Sequence, residues 1–465
     1  LVHTETDGNN EANLYIYNIN DGGFVIVSAS RNVKPILAYS FENNFNDDGL
    51  GHAEYFINNY NRDIEYAKSL NIETDKYISD LWNDLESNDI KDRAIAVVDP
   101  LIETRWNQDC FYNEYAPYDN WGPCNRAYAG CVACAMSQVM KYWNYPEKGK
   151  GSHTYIHHQY GSQSADFGAT TYKWDEMPNE IWDQNDAIAT LMYHCGVSVD
   201  MDYGADGSGA QSHDVEAAMR MYFGYSSAKY KERSDYSDEE WISLLKSELD
   251  ESRPMYFSGS GEAGGHAIVC DGYDNNDYFH FNMGWSGIGD GFYSIDDVNG
   301  FSNNEAVVMN IKPLPINADE HNIIYVTSDG TGDGSSWGNA TSELQYAAAV
   351  ASDGETQVWV KTGTYYGDVT EANGAFNIYQ RNRVYGGFEG DETPDFNIDN
   401  RDLENNPTIL DGENQRRVIN QQDHFGSSAF SIWDGFTIQN GSAGSGGGAY
   451  LCSNSYFYNC SFINN

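Results

Sequence analysis

A thiol attacks a carbonyl as its thiolate, and near neutral pH that form needs a helix N-terminus, a cationic neighbour, or both. Cys131 follows Gly130 and opens CVACAMSQVMKYW, in which Val132, Ala135, Met136, Val139, Met140 and Trp143 recur at helical spacing. The spacing predicts a helix whose first turn holds the thiol beside unpaired backbone N–H groups. A cysteine opening a helix is more often a small buried hydrophobe, so other residues must decide. His266 stands in GGHAIVCDGY at the head of an apolar run that reads as a strand, which would carry its imidazole to a sheet end. Asn282 follows in FHFNMGWSG, and Gln108 precedes the cysteine in TRWNQD. The carboxamide of Gln108 and the backbone N–H of Cys131 would together form an oxyanion hole.

A cysteine followed about 130 to 150 residues later by His and Asn is the layout of papain-like enzymes, with Cys131 as nucleophile, His266 as base and Asn282 orienting the ring. Competing assignments are weaker. Cys131 and Cys134 form a C-x-x-C unit, but no strand–helix–strand context supports a redox motif. His153, His194, His213 and His280 are alternative bases, and His213 is the nearest rival because SGAQSHDV would place it at a helix start. His157 and His158 face opposite ways on any strand, so they read as exposed residues, and neither a metal nor a cofactor is expected. The glycine-rich GADGSG, Gly204 to Gly209, follows no clear strand and has no lysine after it, which makes phosphate binding a weak reading.

Bulk properties narrow the partners. The chain has 465 residues, 26 Lys plus Arg against 70 Asp plus Glu, and a formal charge of −44. Nucleic acid and an anionic membrane surface would be repelled. An aromatic content of 14%, including 35 Tyr, is too rich for disorder. No apolar run is long enough to span a membrane, and the start at Leu1 shows no signal peptide, so any leader is missing from this sequence. Cys110, Cys124, Cys131, Cys134, Cys195, Cys270, Cys452 and Cys460 match neither a small disulfide framework nor a zinc site. Whether Cys110 and Cys124 pair depends on a Cα separation that sequence does not show.

Three composition zones position these residues, and the predicted architecture is multidomain. In residues 1–97, LYIYNINDGGFVIVSAS alternates around Asp21-Gly22-Gly23 as a hairpin, and helical spacing follows from Tyr55 to Leu70 and from Ile78 to Leu85. Residues 98–314 read as α+β, with the Cys131 to Tyr142 helix first and a twisted antiparallel sheet later, in MYFSGS, HAIVCDGY, YFHFNMGW and GFYSI. From 320 to 465 a helix near Leu344 to Val350 is followed by short β-runs with Gly and Asn at the corners, including QVWVKTGTY, NRVYGGF, PTILDG and DGFTIQNG. These are the pieces of a parallel β-solenoid, whose need for closing repeats predicts a chain that continues past Asn465.

The strings PLIETRWNQ, GCVACAMSQVMKYWNYP, MDYGADGSGA, GGHAIVCDGY and FHFNMGWSGIGDGFY make residues 98–314 resemble the streptopain family of bacterial cysteine peptidases, a variant of the papain fold. The resemblance implies Cys131 as nucleophile, His266 as base and later acid, Asn282 orienting the imidazole, and Gln108 as oxyanion donor. Gly265 and Trp285 would support the substrate, as would Met283, which stands where the family usually has Trp. Residues 1–97 are similar to the pro-domain that keeps such enzymes inactive, which implies intramolecular inhibition. Residues 320–465 resemble the start of a pectin-lyase-like, right-handed parallel β-helix, incomplete here, with room for a glycan or surface ligand. The expected protein is a secreted or cell-surface cysteine endopeptidase zymogen acting on proteins or peptides. The alternative is a surface adhesin or glycan-binding protein with an inactive papain-like domain.

Overall fold

Alternating apolar residues become strands wherever one face finds a core, and the first hairpin shows this. In the computed structural model, β1 (His3–Thr6), β2 (Ala12–Asn18), β3 (Phe24–Ser28) and β4 (Ile36–Ser40) pair antiparallel in order. They bury Leu14, Ile16, Phe24 and Ile26. The structure describes residues 1–20, 22–45, 53–69, 76–87, 95–225, 227–261, 264–295, 305–313, 316–351, 354–366, 376–378, 381–421, 430–451 and 454–465. Asp21, Leu70, Leu314 and Cys452 from the expectations above lie outside them. Two compact units emerge, Leu1–Pro313 and Leu314–Asn465.

In the first unit α1 (Ala53–Ser69) buries Phe56, Ile57, Tyr60, Ile64 and Ala67, and α2 (Lys76–Ser87) follows. After β5 (Ala96–Val98) come α3 (Cys131–Trp143), the hairpin β6 (Ser152–His157) and β7 (Gly161–Asp166), α4 (Asp186–Ser198) and α5 (Asp214–Met221). Then come β8 (Lys229–Glu232), α6 (Asp238–Asp250), β9 (Met255–Gly261), β10 (Gly264–Asp274), β11 (Tyr278–Asn282), β12 (Gly291–Ser294) and β13 (Ala306–Met309). The expectation of one helix before the sheet missed α4, α5, α6 and the β6–β7 hairpin.

One sheet runs through the unit in the order β1-β2-β3-β4-β12-β11-β10-β9-β13-β8, and β5 also pairs with β10. Strand alternation divides its core in two. Tyr256, Ala267 and Val269 pack with residues of α3 and α4, whereas Phe257, Ile268, Cys270, Phe279 and Phe281 pack with residues of α1 and α6. The boundary expected at residues 97 and 98 falls inside β5, where Val98 pairs with Tyr273.

The seam at β4 and β12 is polar as well as hydrogen-bonded. Phe292 pairs with Tyr39, whose ring stacks on it at 5.1 Å and whose hydroxyl donates to Asp274 at 2.8 Å. Close by, the ring of His280 lies between Asp271 (Nδ1, 2.7 Å) and Glu42 (Nε2, 2.8 Å). Both partners are carboxylates, so both nitrogens donate and the ring is an imidazolium. Burial by itself would lower the His280 pKa, but the charges and hydrogen bonds of Asp271 and Glu42 outweigh it and push it up to about 10. The hydrogen bond from His280 holds Glu42 below the usual glutamate range.

The second unit is built from parallel ladders. Ile323–Val326, Gln357–Lys361, Arg383–Phe388, Ser431–Asp434 and Ser455–Tyr458 form one sheet. Gly363–Tyr365, Thr408–Asp411, Phe436–Gln439 and Ser461–Ile463 form a second, and Phe376–Asn377, Ile419–Asn420 and Ala449–Tyr450 a third. Val358, Val384, Trp433 and Phe457 align in register along the first sheet. A helix at Leu344–Val350 stands where the apolar spacing predicts it.

The raised pKa of His280 makes the seam pH-dependent. Its contribution is complete below the ordinary histidine value of 6.5 and is lost as pH rises toward about 10. Glu42→Gln should destabilise the intact chain by about 1–2 kcal/mol at pH 7, less than for a fully buried pair because Glu42 is partly exposed. Urea denaturation across pH 7 to 10 should show that gap narrowing, and a gap independent of pH would sink the assignment.

Candidate active site

The start of α3 is set by Gly130, the residue before its first turn, whose φ of 96° lies in the region that glycine adopts freely. A Cβ there would lie 2.8 Å from the Met201 side chain and 3.2 Å from that of Ser208. The first helical hydrogen bond runs from Cys134 N–H to Gly130 O at 3.0 Å. Cys131, in that turn, is only 8% exposed and opens on a cleft of about 1100 Å³. Gln108, Gly265, His266, Ala267 and Trp285 line the same cleft. Ala129 N–H donates to Gln108 O at 2.9 Å, joining the Gln108 segment to the approach to α3. His266, half-buried, lies on β10 opposite Gly259.

Burial pushes the Cys131 thiol up from its ordinary value, while the backbone N–H groups of Ala267, Val132 and Cys131 itself pull the other way. The helix start therefore offers the expected donors, but desolvation outweighs them. Cys134 is raised further, first by burial and then by the charge of Cys131, and its Sγ donates to Gly284 O at 3.8 Å. Both thiols are free, whereas Cys110 and Cys124 are joined in a disulfide, Cα to Cα 5.3 Å, closing the loop before α3.

Two expected residues do not face the cleft. Met283 is fully buried in the core shared with α1 and α6. Asn282 is 3% exposed: its Nδ2 donates to Thr104 O at 2.7 Å, and its Oδ1 accepts from Gln138 Nε2 at 2.9 Å and Gly284 N–H at 3.1 Å. These bonds tie Asn282 to Thr104, Gln138 and Gly284. Gln138, which the sequence reading passed over, is one of the partners of Asn282 Oδ1. Its signal was a glutamine set between the apolar positions Ala135 and Val139 of the helix. Gln138 is fully buried, and its Oε1 accepts from Thr104 Oγ at 2.8 Å and Trp106 N–H at 3.4 Å. Gln108 is 4% exposed and donates through Nε2 to Gly284 O at 3.4 Å.

Comparison with known proteins bears on this cleft. Residues 106–293 match the model of the peptidase C10 family, and residues 2–64 match that of the Spi protease inhibitor. Streptopain of Streptococcus pyogenes is 33% identical over 339 residues, covering 65% of this chain and 81% of the relative. The thiol protease/hemagglutinin PrtT of Porphyromonas gingivalis is 31% identical over 329 residues, covering 65% of this chain and 37% of that protein. Among solved structures, a fragment of prointerpain A from Prevotella intermedia superposes with a TM-score of 0.54 at 30% identity, covering 67% of this chain and 98% of the fragment.

The other histidines are mostly accounted for by their surroundings. His194 is buried against Tyr172, and desolvation lowers its pKa to about 4. His213 lines the cleft at the N-terminus of α5, as its sequence context suggested, and pairs with Asp214 at 3.4 Å. His157, His158 and Asp202 cluster closely enough to hold a metal. The protonation of His157 argues against it. Its Nδ1 accepts the backbone N–H groups of Gln159 and Tyr160, both at 3.1 Å, so in the neutral ring Nε2 carries the proton and donates to Asp202 at 3.0 Å. The nitrogen facing the cluster thus has no lone pair to offer. Added Zn²⁺ should leave the melting temperature of Cys131→Ala protein unchanged, whereas a rise abolished by His158→Ala would establish a metal site.

Proposed function

Because the chain belongs to the peptidase C10 family of cysteine endopeptidases, we propose that Cys131 is its nucleophile, His266 its base and Gln108 its side-chain oxyanion donor. The observation carrying this reading is that Cys131, Gln108 and His266 line one cleft at the start of α3. His266 takes the thiol proton, and the thiolate adds to the peptide carbonyl. The resulting oxyanion accepts from Cys131 N–H and Gln108 Nε2. The C–N bond then breaks as His266 returns the proton to the amine, and water activated by the same imidazole hydrolyses the thioester. Asn282 supports the site through Gln138 and Thr104; direct contact with His266 would require its amide to change partners.

Residues 1–97 act as the inhibitory pro-segment and 98–314 as the peptidase. Ile95 and Asn275 exchange two hydrogen bonds, and Ala96–Val98 is a strand of the peptidase sheet. The activating cut is expected between about Leu85 and Asp99, around this strand. Residues 320–465 form the start of a right-handed parallel β-helix, a reading supported by three parallel sheets visited in turn. A glycan or surface ligand for it rests on fold analogy. Secretion or surface display accords with the Cys110–Cys124 disulfide, a bond at home in oxidising compartments.

Cys131→Ala should reduce peptide hydrolysis ~10⁴-fold or more, while Cys134→Ala should stay active. A thiol-reactive epoxide should label Cys131 in the processed protein, and the opposite pattern between the two cysteines would overturn the assignment. A chain ending at Pro313 should hydrolyse peptides as fast as the longer one. Loss of activity on that truncation would tie the second unit to the cleft.

A further inference from the structure

We propose that Gln138 is a positioning residue of the peptidase, acting through the Asn282–Gly284 turn to hold the Gln108 carboxamide where the oxyanion forms. The inference rests on the reading of Gln108 and Cys131 above. Gln138 lies on α3 two helical turns beyond Cys131, so both side chains leave the same side of the helix. Thr104, Gln138 and Asn282 close a ring of hydrogen bonds: Thr104 Oγ to Gln138 Oε1 (2.8 Å), Gln138 Nε2 to Asn282 Oδ1 (2.9 Å) and Asn282 Nδ2 to Thr104 O (2.7 Å). From that ring the contacts lead outward. Asn282 Oδ1 accepts Gly284 N–H, and Gly284 O accepts Gln108 Nε2.

The orientation of the Gln138 amide is fixed by its neighbours. Trp106 N–H can only donate, so the atom facing it is the oxygen. Asn282 Oδ1 already accepts Gly284 N–H, so the group facing it is the NH₂. The turn has little room to shift. Gly284 has φ +70°, and a Cβ on it would lie 3.0 Å from Cys134 Sγ and 3.8 Å from Gln138 Nε2. One carboxamide thus ties together the segment leading to Gln108, the nucleophile helix and the turn leading to Trp285.

An isosteric change separates positioning from packing. Gln138→Glu keeps the shape, but its carboxylate cannot donate to Asn282 Oδ1 until it is protonated. Processed in trans by wild-type enzyme where necessary, this variant should lose kcat about 10²-fold at pH 8 with little change in KM. The loss should shrink as pH falls and the introduced carboxylate takes up a proton. Cys131, Cys134 and Asp290 also titrate in this part of the core, but they are common to both proteins, so the ratio of variant to wild-type kcat isolates the substitution. Epoxide labelling of Cys131 should proceed at the wild-type rate. In a Gln108→Ala background the change should cost nothing further, because the group being positioned is gone. Normal kcat at pH 8, a loss independent of pH, slowed labelling, or additive losses in the double variant would each overturn the proposal. Gln108→Ala alone, if it retains normal kcat, removes Gln108 from the site and is read separately. Should Gln138→Glu not fold, Thr104→Val deletes the donor to Oε1 alone. It should lower kcat about fivefold at constant KM, and an unchanged kcat would overturn the proposal.

Discussion

A thiol that is 8% exposed resists ionisation, and the arrangement around α3 follows from that conflict. Burial raises the pKa of Cys131, and three backbone N–H groups oppose it without cancelling it. On the reading proposed above, the balance comes from the His266 imidazole at the start of β10 rather than from the helix N-terminus alone. Ala267, next to His266, supplies one of the three N–H groups, and both residues line the cleft onto which Cys131 opens. A shift of β10 by one residue would exchange its two faces and send Ala267 and Val269 into the core of α1 and α6.

The same sheet explains the intimacy of the N-terminal segment with the peptidase. Leu14, Ile16, Phe24, Phe56 and Ile64 share one core with Phe257, Phe279, Phe281 and Met283. The segment is therefore not a plug laid over a finished enzyme, since it completes one of the two cores on which the sheet rests. Charge reinforces the junction. A chain with 70 acidic and 26 basic residues has few cations available to neutralise buried carboxylates. Here one imidazolium serves two carboxylates, buried Asp271 from β10 and partly exposed Glu42 from just beyond β4.

Much of this was legible before the structure. Gly130 followed by an amphipathic run marked α3 almost to the residue, and the alternation in LYIYNIN and FVIVS marked the hairpin. What escaped had physical reasons. In α4, Ile188, Ala189, Leu191, Met192, His194, Cys195, Gly196, Val197 and Ser198 are all buried, polar residues among them, so the apolar period is blurred. The α6 helix did carry a signal, since Ser237 and Glu240 form a capping box and Trp241, Leu245 and Leu249 make its buried stripe. The shared core, the His280 bridge and the Gln138 ring join residues far apart in the chain, and no local pattern encodes such a contact.

Cys131 and Cys134 show why residue type and spacing were insufficient even where they pointed the right way. Both thiols are buried on one helix, and burial raises both. The difference lies in what surrounds them. Cys131 meets three N–H donors and opens on the cleft that His266 lines, whereas Cys134 faces the carbonyl oxygen of Gly284 and feels the charge of Cys131. A carbonyl oxygen opposes a thiolate as firmly as an N–H group favours one. One turn of helix thus separates a sulfur that meets three N–H donors at the cleft from one that faces a carbonyl oxygen in the core, and the direction of the backbone around each sulfur makes the distinction.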